Sequence, residues 1–136
     1  MSEIKLMVRM TAWMSVLPLL KRALPIQRLV RLMSQTPSRR HDLREDVIVR
    51  AAWRVSRLQQ PRFPDNCLER SLLVYRYLGR SGATPCLHMG VRSDRGVVTG
   101  HAWVTVDERA VVDTPAHLDR FRSVVAFDAS GSRTAP

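Results

Sequence analysis

The chain has 136 residues, 45% of them hydrophobic, which is enough for one domain with a modest core and excludes a chain disordered throughout. Its 22 Lys and Arg against 12 Asp and Glu give a formal charge of +10, which favours an anionic partner such as nucleic acid, a membrane surface or an acidic peptide without choosing among them. No apolar run approaches the roughly 18 uninterrupted residues of a spanning helix, so no membrane span is expected.

The N-terminus carries charged residues early, Glu3 and Lys5, and its later apolar stretch is interrupted by further charges and prolines. It therefore lacks the pattern of a cleavable secretion signal. A cytoplasmic location is expected, in which the two cysteines, Cys67 and Cys86, stay reduced.

Residues 1–35 show the periodicity of amphipathic helix, with aliphatic side chains interleaved with basic ones. Pro18 and Pro25 should divide this segment into short helices, because proline is tolerated in a first helical turn but not further inside. The composition of "SQTPSRRHD", residues 34–42, then predicts a linker. A further helix is predicted over residues 43–58, ended by "QQPRFP", because apolar positions recur every three or four residues: Leu43, Val47, Ala51, Val55 and Leu58.

The stretch "PDNCLERSLLVYRYLG" places a cysteine where a loop turns into an apolar helix. With Asn66 as the N-cap, Glu69 falls at the third helical position, so the sequence predicts a capping box with Cys67 as the first helical residue. Unpaired N–H groups and the positive end of the helix dipole favour thiolate there, against an ordinary cysteine pKa of about 8.5. A buried packing role for Cys67 is the alternative, because free cysteines are among the residues most often buried.

After residue 80 the pattern changes to short strands. In "PCLHMGV" Leu87, Met89 and Val91 alternate with the residues between them, and "SDRG" predicts a turn. In "VVTGHAWVTV" two sets of side chains alternate, Ala102, Val104 and Val106 on one face and His101, Trp103 and Thr105 on the other. "DERA" predicts a second turn, and "AVVD" starts a further strand. Helices followed by an antiparallel sheet indicate the α+β class.

Two polar residues of this sheet suit the base and orienter roles for a nucleophilic Cys67. His101 lies opposite the aliphatic stripe, and Asp113 ends the strand that should fold back on it. If Val106 pairs with Ala110, Asp113 becomes a near or diagonal cross-strand neighbour of His101. A carboxylate there would hold the imidazole tautomer and stabilise its cation. A histidine satisfied within the sheet and a solvated aspartate are the alternatives.

No cofactor is indicated and no metal site is expected. Cys86 and His88 could be combined with Cys67 and His101 as a zinc set, but Cys-x-His is not a reliable ligand spacing, and neither CxxC nor HExxH occurs. Metal chemistry is therefore not expected.

Other candidate residues have ordinary structural interpretations. His41 and His117 lie in polar, loop-like sequence and are expected to be solvated. Trp103 is expected to pack beside the Cys67 site, and Trp53 to lie at a helix interface.

Together, "CLERSLLVYRYLGRSG", "LHMGVR", "HAWVTVD" and "VVDTP" resemble the transglutaminase-like cysteine peptidases of lasso-peptide biosynthesis, the standalone subunits that remove the leader from the precursor. The resemblance covers roughly residues 45–115, and its specific parts are Cys-Leu-x-Arg-Ser and His-Ala-Trp-Val. It implies N-terminal helices followed by a transglutaminase-like or papain-like α+β core, with a catalytic helix packed on a small antiparallel sheet. It also implies that Cys67, His101 and Asp113 form the catalytic triad.

The resemblance implies partners as well: a precursor peptide substrate, a separate leader-binding recognition protein and an ATP-dependent lasso cyclase that forms the macrolactam. Residues 1–60 lack the strands of the recognition module that precedes the peptidase in fused relatives, so recognition is expected to come from another chain. The basic N-terminal segment, including Arg22, Arg28 and Arg31, is expected to hold that protein or an acidic leader. A solvated basic face that only aids solubility is the alternative.

The chain is expected to form a single domain over residues 1–136, with a helical part over 1–60, a catalytic core over 61–127 and a disordered tail over 128–136. Two other functions remain open. The same triad could transfer an acyl group to an amine, as transglutaminases do, since the thioester is common to both reactions. A basic nucleic-acid-binding protein is the other, but the arginines are spread and no zinc finger, RNP string or recognition helix is visible, so no nucleic-acid partner is expected.

Overall fold

The computed structural model describes residues 1–35, 43–62 and 65–136. Within these ranges, the helices that precede the sheet are α1 (Glu3–Ala23), α2 (Ile26–Met33), α3 (Glu45–Gln59) and α4 (Cys67–Arg80). The sheet and one inserted helix follow as β1 (Pro85–Asp94), β2 (Val97–Val106), β3 (Arg109–Ala110), α5 (Pro115–Leu118), β4 (Arg122–Phe127) and β5 (Arg133–Thr134). The predicted α+β class, with a helix packed on a small antiparallel sheet, is confirmed. No helix in the described ranges combines the length and the apolar character that crossing a membrane requires.

The sheet has the order β3-β2-β1-β4-β5, and each strand is antiparallel to its neighbours. Strands β1 and β2 form a hairpin that is paired over the full length of both strands. Its turn residues, Arg95 and Gly96, have φ angles of 50° and 81°, the left-handed conformation of two-residue hairpin turns whose twist matches that of the strands. This hairpin occupies the middle of the sheet and carries His101 on its second strand.

Helix α4 lies at the centre of the molecule, in contact with α1, α3 and the first two strands. Its buried side chains include Leu72 and Leu78, and the sheet contributes Leu87 and Val104 to the same cluster. Because each such side chain contributes about 1.5–3 kcal/mol on burial, this packing fixes α4 firmly on the sheet. The first residue of the helix, Cys67, is thereby fixed as well.

The prediction that Pro18 breaks the first helix is wrong, because α1 runs through it. Four side chains at helical spacing form one fully buried face of α1: Leu6, Met10, Met14 and Leu17. Their burial contributes about 1.5–3 kcal/mol each, and the sum exceeds the cost of about 3 kcal/mol for an interior proline. Pro25 does interrupt the helices, and α2 begins directly after it.

Helix α3 confirms the second predicted helix, but its buried face differs from the predicted stripe. Ala51 and Val55 are buried as expected, with Ile48 and Ala52 beside them, whereas Leu58 is 75% exposed. The neighbours of α3 are α1 and α4, so its buried face follows their position and not a strict four-residue repeat. Most of the predicted linker, residues 36–42, and the end of "QQPRFP", residues 63–64, lie outside the described residues.

The expectation of a disordered tail over residues 128–136 is wrong for most of that segment. Arg133–Thr134 forms β5, which pairs with β4. The Asp128 carboxylate accepts hydrogen bonds from the backbone N–H groups of Ser130 and Ser132, at 3.0 and 3.1 Å, and so closes the turn between the two strands. The Tyr75 hydroxyl of α4 donates to the Asp128 carbonyl oxygen, which ties this segment to the central helix.

Candidate active site

Cys67 opens α4 as predicted, with Asn66 at the N-cap, but the predicted capping box is wrong because the Asn66 side chain makes no capping hydrogen bond. Asn66 makes two hydrogen bonds of 2.8 Å with Ser56 of α3, one accepted by its Oδ1 atom and one donated by its Nδ2 atom. Glu69 pairs with Lys21 of α1 at 2.8 Å. The first turn of α4 is therefore positioned by two neighbouring helices, through contacts that no local pattern shows.

Arg70, one helical turn after Cys67, has a buried side chain whose charge lowers the pKa of the thiol, a role that was not predicted from the sequence. The guanidinium lies 3.9 Å from the centre of the Trp53 ring and donates to Ser56 Oγ at 3.2 Å. Burial lowers the pKa of Arg70, while the charges of Asp113 and Cys67 act in the opposite direction. The available signal was its position three residues after the cysteine, one helical turn along the same face. Trp53 of α3 contacts Arg70 of α4 and so lies at a helix interface, as expected.

His101 and Asp113 lie in contact, although the predicted pairing of Val106 with Ala110 is wrong. Val106 pairs with Arg109, because the turn has only two residues between the strands. The Val111 N–H still donates to the Val104 carbonyl oxygen at 3.2 Å, and Asp113 then reaches His101 of β2. The His101 Nε2 atom lies 3.2 Å from Asp113 Oδ2, and the two side chains are only 10% and 8% exposed. The carboxylate therefore holds the imidazole from the side of Nε2.

Cys67 lies beside the His101 side chain and the Ala102 backbone, and its interactions with both lower the pKa of the thiol. Because Asp113 lies at Nε2 of the ring, Nδ1 is the nitrogen that can exchange a proton with the thiol. The Ser71 hydroxyl, one turn along α4, donates to the Ala102 carbonyl oxygen at 3.0 Å and joins the helix to β2 beside this contact. The structure thus brings together the three residues predicted as a triad, with Cys67 beside His101 and His101 hydrogen-bonded to Asp113.

The environment favours charge on both members of the Cys67 and His101 pair. Burial is the largest influence on the Cys67 thiol and raises its pKa, but hydrogen bonds from His101 and Ala102 act against it. With the charges of His101 and Arg70 added, the pKa of Cys67 lies below its ordinary value. Hydrogen bonds to Asp113 and Cys67 raise the pKa of His101 to about 9. A thiolate beside an imidazolium is the pair that these shifts favour.

We expect iodoacetamide at neutral pH to alkylate Cys67 at least about tenfold faster than Cys86 in the folded protein, since the thiolate is the nucleophile. Burial raises the pKa of Cys86, whereas the pKa of Cys67 is lowered despite its burial. Both side chains are half-buried, so access alone does not separate them. Peptide mass spectrometry after timed quenching measures the two rates, and equal rates would contradict the assignment of Cys67 as the activated thiol.

Aromatic rings surround His101. Trp103 stacks on it with 6.1 Å between ring centres, and Phe121 lies 5.0 Å away. His117 of α5 meets the His101 ring edge-on at 5.1 Å. Trp103 thus packs beside the site as predicted. His117 is exposed. Its contact with His101, and that of Phe121 with the same ring, were not predicted from the sequence. His41 lies outside the described residues.

Gly90 permits the close packing that supports this ring cluster. A Cβ atom at this position would lie 2.5 Å from the Arg122 carbonyl oxygen and 2.7 Å from the Trp103 ring. Gly90 pairs with His101 between β1 and β2, and the pairing of β1 with β4 shifts between Met89 and Gly90. A glycine is therefore needed for Trp103 to lie against β1 and support His101.

An apolar cleft of about 390 Å³ opens beside Cys67 and His101. Its lining comes from α2, α4, β1, β2 and β4, and its aliphatic and methionine side chains include Ile26, Leu68, Met89, Val91, Val124 and Val125. Apolar clefts with a few convergent polar groups are the usual form of binding sites. This one can hold an apolar segment of a substrate with a carbonyl group at the sulfur.

Comparison with models of known protein families places the chain in a family. The model of the transglutaminase-like superfamily matches residues 9–126. The chain belongs to the transglutaminase-like superfamily. Neither the search of the curated proteins nor the search of the solved structures found a significant match.

The transglutaminase-like match extends further than the sequence resemblance over roughly residues 45–115. It begins at residue 9, within α1, and ends at residue 126, within β4. Helices α1 and α2 are therefore part of the superfamily domain and not an appendage to it. Transglutaminase-like proteins are generally cysteine peptidases or acyltransferases, and both reactions use a cysteine thioester.

Proposed function

We propose that this transglutaminase-like protein is a cysteine peptidase that removes the leader peptide from a lasso-peptide precursor. The observation that carries the proposal is the placement of Cys67 beside His101, whose ring is hydrogen-bonded to the Asp113 carboxylate, with Cys67 and His101 both lining an apolar cleft. The Cys-Leu-x-Arg-Ser and His-Ala-Trp-Val strings support the choice of substrate class. In this proposal Cys67 is the nucleophile, His101 the acid and base, and Asp113 the orienting carboxylate.

Acylation begins when the Cys67 thiolate attacks the scissile carbonyl carbon. A C–S bond forms, and the carbonyl electron pair moves to the oxygen. Cys67 is the first residue of α4, so its backbone N–H has no acceptor within the helix. This N–H can therefore donate to the oxyanion. The C–N bond then breaks, and the His101 imidazolium protonates the leaving amine.

Deacylation releases the leader and restores the thiolate. Neutral His101 takes a proton from water as the water oxygen attacks the thioester carbon, and the C–S bond breaks. The products are a leader with a free carboxylate, a core peptide with a free amine, and the original ion pair. Asp113 keeps His101 in the required tautomer throughout, because its Oδ2 atom holds Nε2.

Acyl transfer to an amine is the second candidate, because the superfamily includes acyltransferases as well as peptidases. The acylation half of the reaction is the same, and only the acceptor differs. In a peptidase, water attacks the thioester. In a transferase, an amine attacks the thioester in place of water. The products therefore distinguish the two functions directly.

The decisive experiment incubates the protein with a leader-bearing lasso precursor and the separate leader-binding recognition protein, and follows the mass of the precursor. We expect a mass loss equal to the leader and the appearance of the free core peptide. With a primary amine added, a leader that carries the amine at its new C-terminus, or a precursor heavier by the amine minus ammonia, would instead support acyl transfer. An unchanged precursor in the presence of an active recognition protein would contradict the proposal. The ATP-dependent lasso cyclase would act on the freed core amine and is not needed for this test.

The basic surface of the N-terminal helices is proposed to dock the recognition protein or an acidic leader. Arg22, Arg28 and Arg31 are exposed, while the buried residues of the same helices pack into the core. We expect reversal of these three arginines to Glu to raise the KM for the precursor in the presence of the recognition protein, with kcat little changed. The effect should shrink as salt rises, because exposed charges are screened over about 8 Å in physiological salt.

A matched control changes the same number of charges elsewhere. Arg44, Arg95 and Arg133 are also exposed, and they lie outside α1 and α2. Their reversal to Glu should leave the KM near that of the unchanged protein. If both triple variants have the same KM at low and at high salt, the docking proposal is wrong and α1 and α2 act as scaffold only.

A further inference from the structure

Three side chains with metal-binding atoms converge on the outer side of the His101 ring. They are His101 at the middle of β2, Asp113 after β3, and His117 on α5, and their ligand atoms all lie within 4.8 Å of one another. The zinc set considered from the sequence was a different one. His88 of that set has its Nε2 atom within 2.9 Å of Thr105 Oγ1 and does not join this group.

The chemistry and spacing of the group suit a zinc ion. Two imidazoles and one carboxylate, with a fourth position open to solvent, are a common zinc ligand set. Ligand distances of about 2.0–2.2 Å in a tetrahedral site put neighbouring ligand atoms about 3.4 Å apart. His101 Nε2 and Asp113 Oδ2 already lie 3.2 Å apart. A ring nitrogen of His117 lies within 4.8 Å of a ligand atom of each of the other two residues, and the His117 side chain is exposed.

The geometry points to a regulatory zinc site formed by His101, Asp113 and His117, in which a bound ion switches off the Cys67 nucleophile. The site itself does not depend on the proposed peptidase reaction, and only its inhibitory consequence does. An ion can enter from solvent on the side of α5, since His117 is exposed there.

Inhibition follows from the chemistry of an imidazole that carries a metal. Ligation at Nε2 replaces the proton at that atom with the metal, and the remaining ring proton stays on Nδ1, which faces the sulfur. Nδ1 then has no lone pair with which to take a proton from the thiol or from the deacylating water. Asp113 is at the same time withdrawn from its orienting role, because its oxygen binds the ion. Removal of the ion restores the resting arrangement, so the effect is reversible.

The binding test uses the Cys67→Ala protein, which keeps all three ligands and lacks the reactive thiol. After chelator treatment, Co²⁺ is titrated as a spectroscopic stand-in for Zn²⁺, and Zn²⁺ is then used to displace it. We expect one visible absorbing Co²⁺ per chain, and an affinity weakened at least about tenfold by an added His117→Phe change. Phenylalanine keeps the ring contacts with His101 and Phe121 and removes only the ligand nitrogen. His88→Gln is the matched control and should leave the affinity unchanged.

The inhibition test uses the protein with Cys67 present and compares each variant with its own rate without metal. Added Zn²⁺ should stop precursor cleavage, chelator should restore it, and His117→Phe should raise the inhibitory concentration at least about tenfold. Co²⁺ binding that is absent, or equally tight with and without His117, would overturn the site. Tight binding at the site with undiminished cleavage would overturn the inhibitory role. A protein that cleaves no precursor would contradict the proposed function, while the Co²⁺ titration would still decide the site.

Discussion

Replacing Cys67 with alanine should abolish precursor cleavage and leave the fold intact. Removal of the nucleophile of a triad lowers kcat by at least about 10⁴-fold, because the remaining groups have no covalent route to the product. The change removes one half-buried sulfur atom at the start of α4, where the helix is held by Asn66 and Glu69 through their contacts with α3 and α1. The thermal unfolding midpoint should therefore stay close to that of the unchanged protein.

Cys86→Ala is the matched control for this prediction. Cys86 is the second free, half-buried cysteine of the chain, and it lies on β1, where Thr105 and not His101 is its cross-strand partner. Its replacement should leave the rate of cleavage nearly unchanged. Measurement of the rate of core-peptide release for both variants, with the recognition protein present, gives the comparison. Full activity of the Cys67 variant would contradict the thioester mechanism outright.

The strands that carry the site follow from local sequence. Ala102, Val104 and Val106 alternate with their neighbours, and a strand with one face on the core is the structure that buries this period. The "DERA" turn returns the chain to β2 within a few residues, so His101 and Asp113 are in contact although the predicted pairing of Val106 with Ala110 is wrong. Asp107 and Glu108 both adopt positive φ, at 51° and 63°, which is uncommon for such residues and which composition alone did not indicate.

The groups that position Cys67 were not predictable from local patterns. Ser56 and Asn66 are 10 residues apart, and Ser56 and Arg70 are 14 apart, so their contacts exist only because α3 packs on α4. A buried polar residue and a solvated one look the same in a single sequence. The prediction that Pro18 ends the first helix is wrong for a related reason, since burial of one face of α1 against the rest of the protein outweighs the local cost of a proline.

His101→Ala should leave almost no cleavage, whereas Asp113→Asn should leave a measurable residue of activity. His101 acts directly on the Cys67 thiol, whereas Asp113 is hydrogen-bonded to His101 and acts through it. Without the imidazole, the thiol loses a hydrogen bond and a charge that lower its pKa, and the leaving amine loses its proton donor. We expect a fall in kcat of the same order as that of the Cys67 variant, since nucleophile and base act as a unit.

Asparagine at position 113 removes the carboxylate charge but keeps a carbonyl oxygen that can accept from His101 Nε2–H. The hydrogen bond that His101 donates to Asp113 is the largest cause of the raised pKa of His101, so the imidazolium is less stable in this variant and the ion pair with Cys67 is weaker. Nucleophile and base both survive, and cleavage should remain at least about tenfold faster than in His101→Ala, because loss of an orienting group commonly costs less than loss of the base. Single-turnover measurement of core-peptide release separates the two rates, with His88→Gln as a control for loss of a histidine on the same sheet face. Equal, undiminished rates in both variants would refute the assignment of base and orienter, and a slower Asp113 variant than His101 variant would reverse it.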